Sequence, residues 1–268
     1  MSDAGIVFLM YHELAVAGRS LCHKEPGYTR YVVTDSDFRS QMKRLAGEGW
    51  RGVSLSQALG SWAAKTVCVT FDDGCETDVL AGAPALKEAG FGATFYITTG
   101  FVGKPGYLSS SQVRELNKLG LEIGCHSLTH PYLTDVDDAR LHEETAGAKE
   151  RLEQMVGVTV EHFSCPGGRW NPRVVEAVKA AKFQSMATSR AAMNFPNTDW
   201  FALARVAVLG GLRLEKFMRG CRGQGLIWTQ LQERVRGTAK RVLGNSAYDS
   251  LRGLILGQDQ SSEPSDNQ

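Results

Sequence analysis

The stretch Lys65-Thr66-Val67-Cys68-Val69-Thr70-Phe71-Asp72-Asp73-Gly74 sets the fold class. Its first seven residues are apolar and rich in β-branched side chains, which predicts a short buried strand delivering two aspartates into the loop at its C-terminal end. Side chains alternate along a strand, so consecutive carboxylates there should point apart. One could bind a metal ion while its neighbour faces the attacking water, the division of labour that metal-assisted hydrolysis needs. Further along, His126-Ser127-Leu128-Thr129-His130 adds two imidazoles. Residues four apart share one face of a helical turn or tight loop. Pro131 disfavours the helical region at His130, so the pair is expected in a loop leaving the strand Leu121 to Cys125. Taken singly, Asp-Asp-Gly after a strand is often just a turn, and His-x-x-x-His is often two packed or solvated histidines. In this order, on successive strand ends, they point to one site.

Around that core the pattern alternates. Strands are expected at Ile6 to Tyr11, Trp50 to Leu55 (or an extended link), Ala93 to Thr98, Leu121 to Cys125, His162 to Cys165, Gln184 to Thr188 and Ala202 to Leu209. Helices are expected at Ser36 to Gly47, Asp78 to Ala89 closed by Gly90, Ser109 or Ser110 to Leu119 closed by Gly120, Asp135 to Met155 and Pro172 to Ala181. Such alternation implies an α/β chain, with a parallel sheet wrapped by helices and functional groups at the C-terminal ends of the strands.

The order strand, Phe-Asp-Asp-Gly, then His-x-x-x-His resembles the polysaccharide deacetylase family, the NodB-homology carbohydrate esterases, and among them the members with an N-terminal Tyr-His, here Tyr11-His12. The resemblance implies an irregular (β/α)7-type barrel. It implies a divalent metal held by Asp73, His126 and His130, with Asp72 as the catalytic base. The donor chemistry agrees, because three N/O ligands leave zinc an open position, as in catalytic sites. Two imidazoles and a carboxylate also accept cobalt, nickel, manganese or iron. The substrate class implied is an N-acetylated aminosugar of a polysaccharide or glycoconjugate, which would lose acetate.

Three departures from the family pattern matter. The Arg-x-Pro-aromatic-Gly motif reads Ser164-Cys165-Pro166-Gly167-Gly168, followed by Arg169-Trp170-Asn171. Ser164 cannot supply the motif arginine that orients the base, so Arg169 is the candidate replacement, beside a structural role in the loop. Gly167 can still offer its N–H to an oxyanion, with Arg169 and Trp170 as substrate-binding candidates. Asp199-Trp200 matches the family's Asp-Trp motif only superficially, because the upstream acidic position is Pro196. No histidine follows His162, so the late general acid is missing and His12 is expected to protonate the leaving amine. The bland reading of His12 is a satisfied rim histidine. His23, His142 and His162 have no motif context. Two alternatives stay open: a catalytically degenerate carbohydrate-binding protein, or a metal-dependent amidase or esterase on a non-sugar substrate.

With 268 residues and a net charge of +1, the chain can bury a substantial core and gives no sign of a nucleic-acid partner. Cysteines at 22, 68, 75, 125, 165 and 221 form no C-x-x-C pair, which suggests a reducing compartment. Met1 to Met10 carries Asp3 and no basic leader, so a cytoplasmic location without a signal peptide or membrane span is expected. The expected organisation is a barrel over 1–212, with 1–65 as its N-terminal extension, then a basic amphipathic helical region 213–257 and a disordered tail 258–268. Between 222 and 256 there are six basic and two acidic side chains. That face is read as a solvated cap on the barrel, with peripheral contact to an anionic inner membrane leaflet as the alternative.

Overall fold

A computed structural model describes residues 4–226. Its strands in chain order are β1 (Ile6–Tyr11), β2 (Leu14–Ala15), β3 (Val33–Thr34), β4 (Arg51–Val53), β5 (Thr66–Phe71), β6 (Thr94–Ile97), β7 (Glu122–Cys125), β8 (His162–Ser164), β9 (Ser185–Ala187), β10 (Met193–Asn194) and β11 (Val206–Ala207). Every residue of β1, β5 and β6 is buried, as expected of parallel strands covered on both faces. The parallel order is β1-β5-β6-β7-β8-β9, with β4 beside β5 and β10 antiparallel to β1.

The two edges of this curled sheet meet through one segment. Leu203 bridges to Ala187 of β9, and β11 pairs in parallel with Leu9 and Met10 of β1. The sequence pattern predicts a full strand from Ala202 to Leu209, but only Val206–Ala207 are strand, after a 3-10 turn at Trp200–Ala202. The segment changes partners between Leu203 and Val206, and Arg205 between them is turned inward, so it cannot run as one ladder.

The helices are α1 (Pro26–Thr29), α2 (Asp35–Gly47), α3 (Leu55–Gly60), α4 (Ala83–Ala89), α5 (Ser110–Lys118), α6 (Asp138–His142), α7 (Ala148–Val156), α8 (Pro172–Ala180) and α9 (Leu214–Cys221). Their ends follow local chemistry. Ser54 and Ser109 form capping boxes with Gln57 and Gln112, and Gly90 ends α4 in the left-handed region. The helix expected from Asp78 begins as a wide π-type turn, Asp78–Gly82, because Pro84 has no N–H and its ring crowds the preceding turn. A second wide turn, Glu143–Gly147, joins α6 to α7.

In α9, Phe217, Met218 and Cys221 are buried, so the expected C-terminal region starts by packing on the barrel. Its continuation through 227–257, the membrane-contact alternative and the tail 258–268 lie outside the described residues. Among the described residues no helix is long and apolar enough to cross a membrane.

Candidate active site

Asp72 and Asp73 follow the last residue of β5, beyond the strict alternation of the strand. Asp73 has φ +80°, and that left-handed turn swings its carboxylate back toward the one beside it. The expectation that the two would point apart is therefore corrected. Asp72 Oδ2 and Asp73 Oδ1 lie 3.8 and 3.6 Å from the same atom, His126 Nε2. Asp73 Oδ1 is also 3.5 Å from His130 Nε2. Of the five non-glycine residues with positive φ among the described residues, three (Asp73, Ser127 and His130) are in these loops, a concentration of strain typical of functional sites.

The histidines are oriented by their surroundings. His126 is buried, and its Nδ1 lies 2.8 Å from the Ser164 carbonyl oxygen. A carbonyl only accepts, so Nδ1 carries the proton and Nε2 turns its lone pair to the carboxylates. Burial lowers the His126 pKa to about 4, against the pull of Asp72. The ring is thus neutral, the form that binds metals. His130 is held by its loop. Its N–H donates to Ser127 Oγ, while the buried Glu144 carboxylate accepts from the N–H groups of Leu128 and Thr129 at 2.9 and 2.8 Å. Gly100 N–H donates to Leu128 O at 2.7 Å, and a Cβ at Gly100 would stand 2.5 Å from that oxygen.

Asp73, His126 and His130 offer one ligand atom each within 4.8 Å of one another. Two ligand atoms on a tetrahedral zinc with bonds of about 2.0–2.2 Å stand roughly 3.4 Å apart, close to the separations found. Asp73 Oδ1 is buried with no hydrogen-bond partner among the described residues, as an atom reserved for a cation would be. The donor set fits a divalent ion.

Sequence reasoning missed the residue that grips Asp72. The Arg205 guanidinium donates from Nη1 to Oδ1 at 2.6 Å and from Nη2 to Oδ2 at 2.8 Å. It also reaches Ser164 Oγ at 2.7 Å, Thr70 Oγ1 at 3.2 Å and the Thr188 carbonyl at 3.0 Å. Ser164 therefore does not leave the base without a cation; its small side chain makes room for one from elsewhere. The assignment of that cation to Arg169 is corrected, since Arg169 lies over the Tyr132 ring, 3.6 Å from its centroid. Burial alone would raise the Asp72 carboxyl, but Arg205, with His126 and His12 adding to it, holds the group well below the usual carboxylate range. The available signal was an arginine inside the apolar run Ala202-Leu-Ala-Arg-Val-Ala-Val-Leu209.

The remaining candidates sit around this centre. His12 follows β1 at the same sheet edge, its ring 5.0 Å from that of Tyr31, with Nδ1 buried and unpaired among the described residues. Its charge is among the influences that lower Asp72. Gly167 adopts φ +61°, and a Cβ there would come within 2.7 Å of the Tyr132 ring, so a side chain at this position would have to displace that ring and strain the backbone. Trp170 is exposed at the rim. A cavity of about 330 Å3 lined by Trp50, Gly52 and Phe91 lies at the opposite ends of the strands, away from this chemistry.

Residues 60–186 match the family model described as polysaccharide deacetylase. The chain is 26% identical over 215 residues to YxkH of Bacillus subtilis strain 168, itself provisionally named a polysaccharide deacetylase, covering 78% of this chain and 73% of that one. It is 23% identical over 197 residues to the poly-β-1,6-N-acetyl-D-glucosamine N-deacetylase of Staphylococcus aureus strain MSSA476, covering 66% and 68%. Among solved structures, the Streptococcus pyogenes deacetylase PplD in complex with acetate superposes with a TM-score of 0.72 at 22% identity, covering 82% of this chain and 99% of that one. That last likeness establishes a shared barrel fold.

Proposed function

We propose that this chain, whose residues 60–186 match the polysaccharide deacetylase family model, is a divalent-metal-dependent hydrolase removing acetyl groups from N-acetylglucosamine units of a polysaccharide. The observation that carries the reading is the convergence of Asp73, His126 and His130 beside an Asp72 kept ionised by Arg205. The staphylococcal relative's named substrate supplies the sugar.

Asp73, His126 and His130 hold the ion. Bound there, it supplies Lewis acidity toward the amide carbonyl and toward water. Asp72 takes the proton from the attacking water at Oδ2, the oxygen nearer the ligands. A carboxylate held this far below its usual pKa is a weak base, so it depends on a strongly acidified water. In this reading the Gly167 N–H receives the oxygen that gains charge, and the His12 imidazole protonates the departing nitrogen. Acetate and a free amine result. Tyr132, under Arg169, and exposed Trp170 offer aromatic faces at the rim for sugar rings. The carbohydrate-binding alternative rested on the missing motif arginine and the missing late histidine; Arg205 supplies the cation, and His12 takes the place of the histidine in this reading.

The test is acetate release from β-1,6-linked N-acetylglucosamine oligomers and from peptidoglycan fragments, before chelation, after it, and after zinc is restored. Release should stop on chelation and return with zinc. Asp72→Asn should keep its metal and lose about 100- to 10,000-fold in kcat. Release unaffected by chelation, or an Asp72→Asn enzyme at full rate, refutes the assignment.

A further inference from the structure

A second set of ligand atoms converges where the N-terminal loop meets the loop after β5. Glu13, Cys22 and Cys75 each offer one, all within 4.8 Å of one another. The two sulfurs are 3.7 Å apart. A disulfide requires about 2.05 Å, whereas two thiolates about 2.3 Å from one tetrahedral zinc stand roughly 3.8 Å apart. The Glu13 carboxylate is buried and fixed, accepting from Cys22 N–H at 3.1 and 3.0 Å and from the Tyr28 hydroxyl at 2.9 Å. That hydroxyl also lies 3.5 Å from Cys75 Sγ. The Gly106 carbonyl oxygen is 3.2 Å from Cys22 Sγ. Four separate stretches of chain thus present soft and hard donors to one spot.

A buried carboxyl lies next to the cluster in the chain. Asp78 is fully buried with both carboxylate oxygens unpaired among the described residues. Its N–H donates to the Cys75 carbonyl. Burial raises its carboxyl, and Asp73, Cys22 and Glu13 raise it further, so it stands in the field of both ligand sets.

We propose that Glu13, Cys22 and Cys75 form a second divalent-metal site of structural type that would take zinc, with the Tyr28 hydroxyl beside Glu13 and Cys75. Two thiolates and a carboxylate favour zinc over magnesium or calcium. Binding releases the two thiol protons to solvent and makes no bond to substrate. The ion ties the loop carrying His12 and Glu13 to the loop carrying Asp72 and Asp73, holding two parts of the active site in register.

The test needs no hydrolysis, so it stands apart from the proposed activity. The full chain, His130→Ala and Cys22→Ser are purified without oxygen, loaded with Zn2+ for metal analysis and with Co2+ for absorption spectra. The full chain should hold about two ions and show sulfur-to-cobalt charge transfer. His130→Ala, altered at a partly exposed ligand of the first site, should keep that band. Cys22→Ser should lose the band together with about one ion per chain. Absence of the band from both the full chain and His130→Ala overturns the site, as does a Cys22–Cys75 disulfide in this protein. The His130→Ala spectrum decides the matter even if Cys22→Ser does not fold.

Discussion

Arg205 and Asp72 are each almost fully buried and satisfy each other through paired hydrogen bonds. Removing one partner of such a pair strands the other charge, at a cost of about 3–5 kcal/mol. Arg205→Leu should therefore lower stability to urea by about that amount at neutral pH. The pH dependence follows from the direction of the shift. The folded carboxyl lies below the unfolded value of about 3.9, so the pair's stabilisation is present above roughly pH 4 and is lost as pH falls through the folded value. In Arg205→Leu, burial is no longer outweighed, the Asp72 carboxyl rises, and the acidic limb of kcat should move to higher pH. Arg205→Lys should restore part of this, because an ammonium supplies charge without the two-point fork. An acidic limb that stays in place in both variants means that Asp72 is not the titrating base. Asp72, Asp73, His126 and His130 are legible in the sequence because each motif is local. Arg205 is not: it lies 133 positions from its partner and beyond the matched family region.

The loop after β7 owes its shape to a helix far along the chain. Glu144 sits in the wide turn between α6 and α7, fully buried, and holds Leu128 and Thr129 through their N–H groups. Arg140, one turn back, meets the same carboxylate at 2.7 Å. Glu144→Gln keeps the volume but replaces charge-assisted bonds with weaker ones and presents a donor to N–H groups that cannot accept. Loss of such outer support typically costs about 10- to 100-fold in metal affinity. Competition with a chelator should show that loss while circular dichroism stays unchanged; undiminished zinc affinity would mean that the loop holds His130 by itself. The helices around this loop were readable from caps and periodicity, and Pro131 correctly marked His130 as non-helical. The wide turns were not, because an extra residue in a helical turn leaves the apolar spacing on either side nearly intact.

For the molecule as a whole, alternating strand and helix patterns implied a parallel sheet wrapped by helices and the family resemblance an irregular barrel, but neither shows how the edges join. The join is thin: Leu203 touches β9, two residues pair with β1, and Ala204 between them has no strand neighbour. Asn194, on β10, takes that neighbour's place. Its Oδ1 accepts from Ala204 N–H and its Nδ2 donates to Ala204 O, both at 2.8 Å, fully buried. A side-chain amide thus imitates a strand's backbone at the closure, and no periodic pattern encodes that. Asn194→Leu would strand both backbone groups, each costing about 1–3 kcal/mol, for a loss of roughly 2–6 kcal/mol by urea unfolding. Since Arg205 is the next residue, the same variant should lower kcat more than it raises KM: the guanidinium loses its fixed position while the sugar-facing rim is untouched. If stability falls but kcat is preserved, Arg205 is held by its own bonds to Asp72, Ser164 and Thr188 and not by the closure.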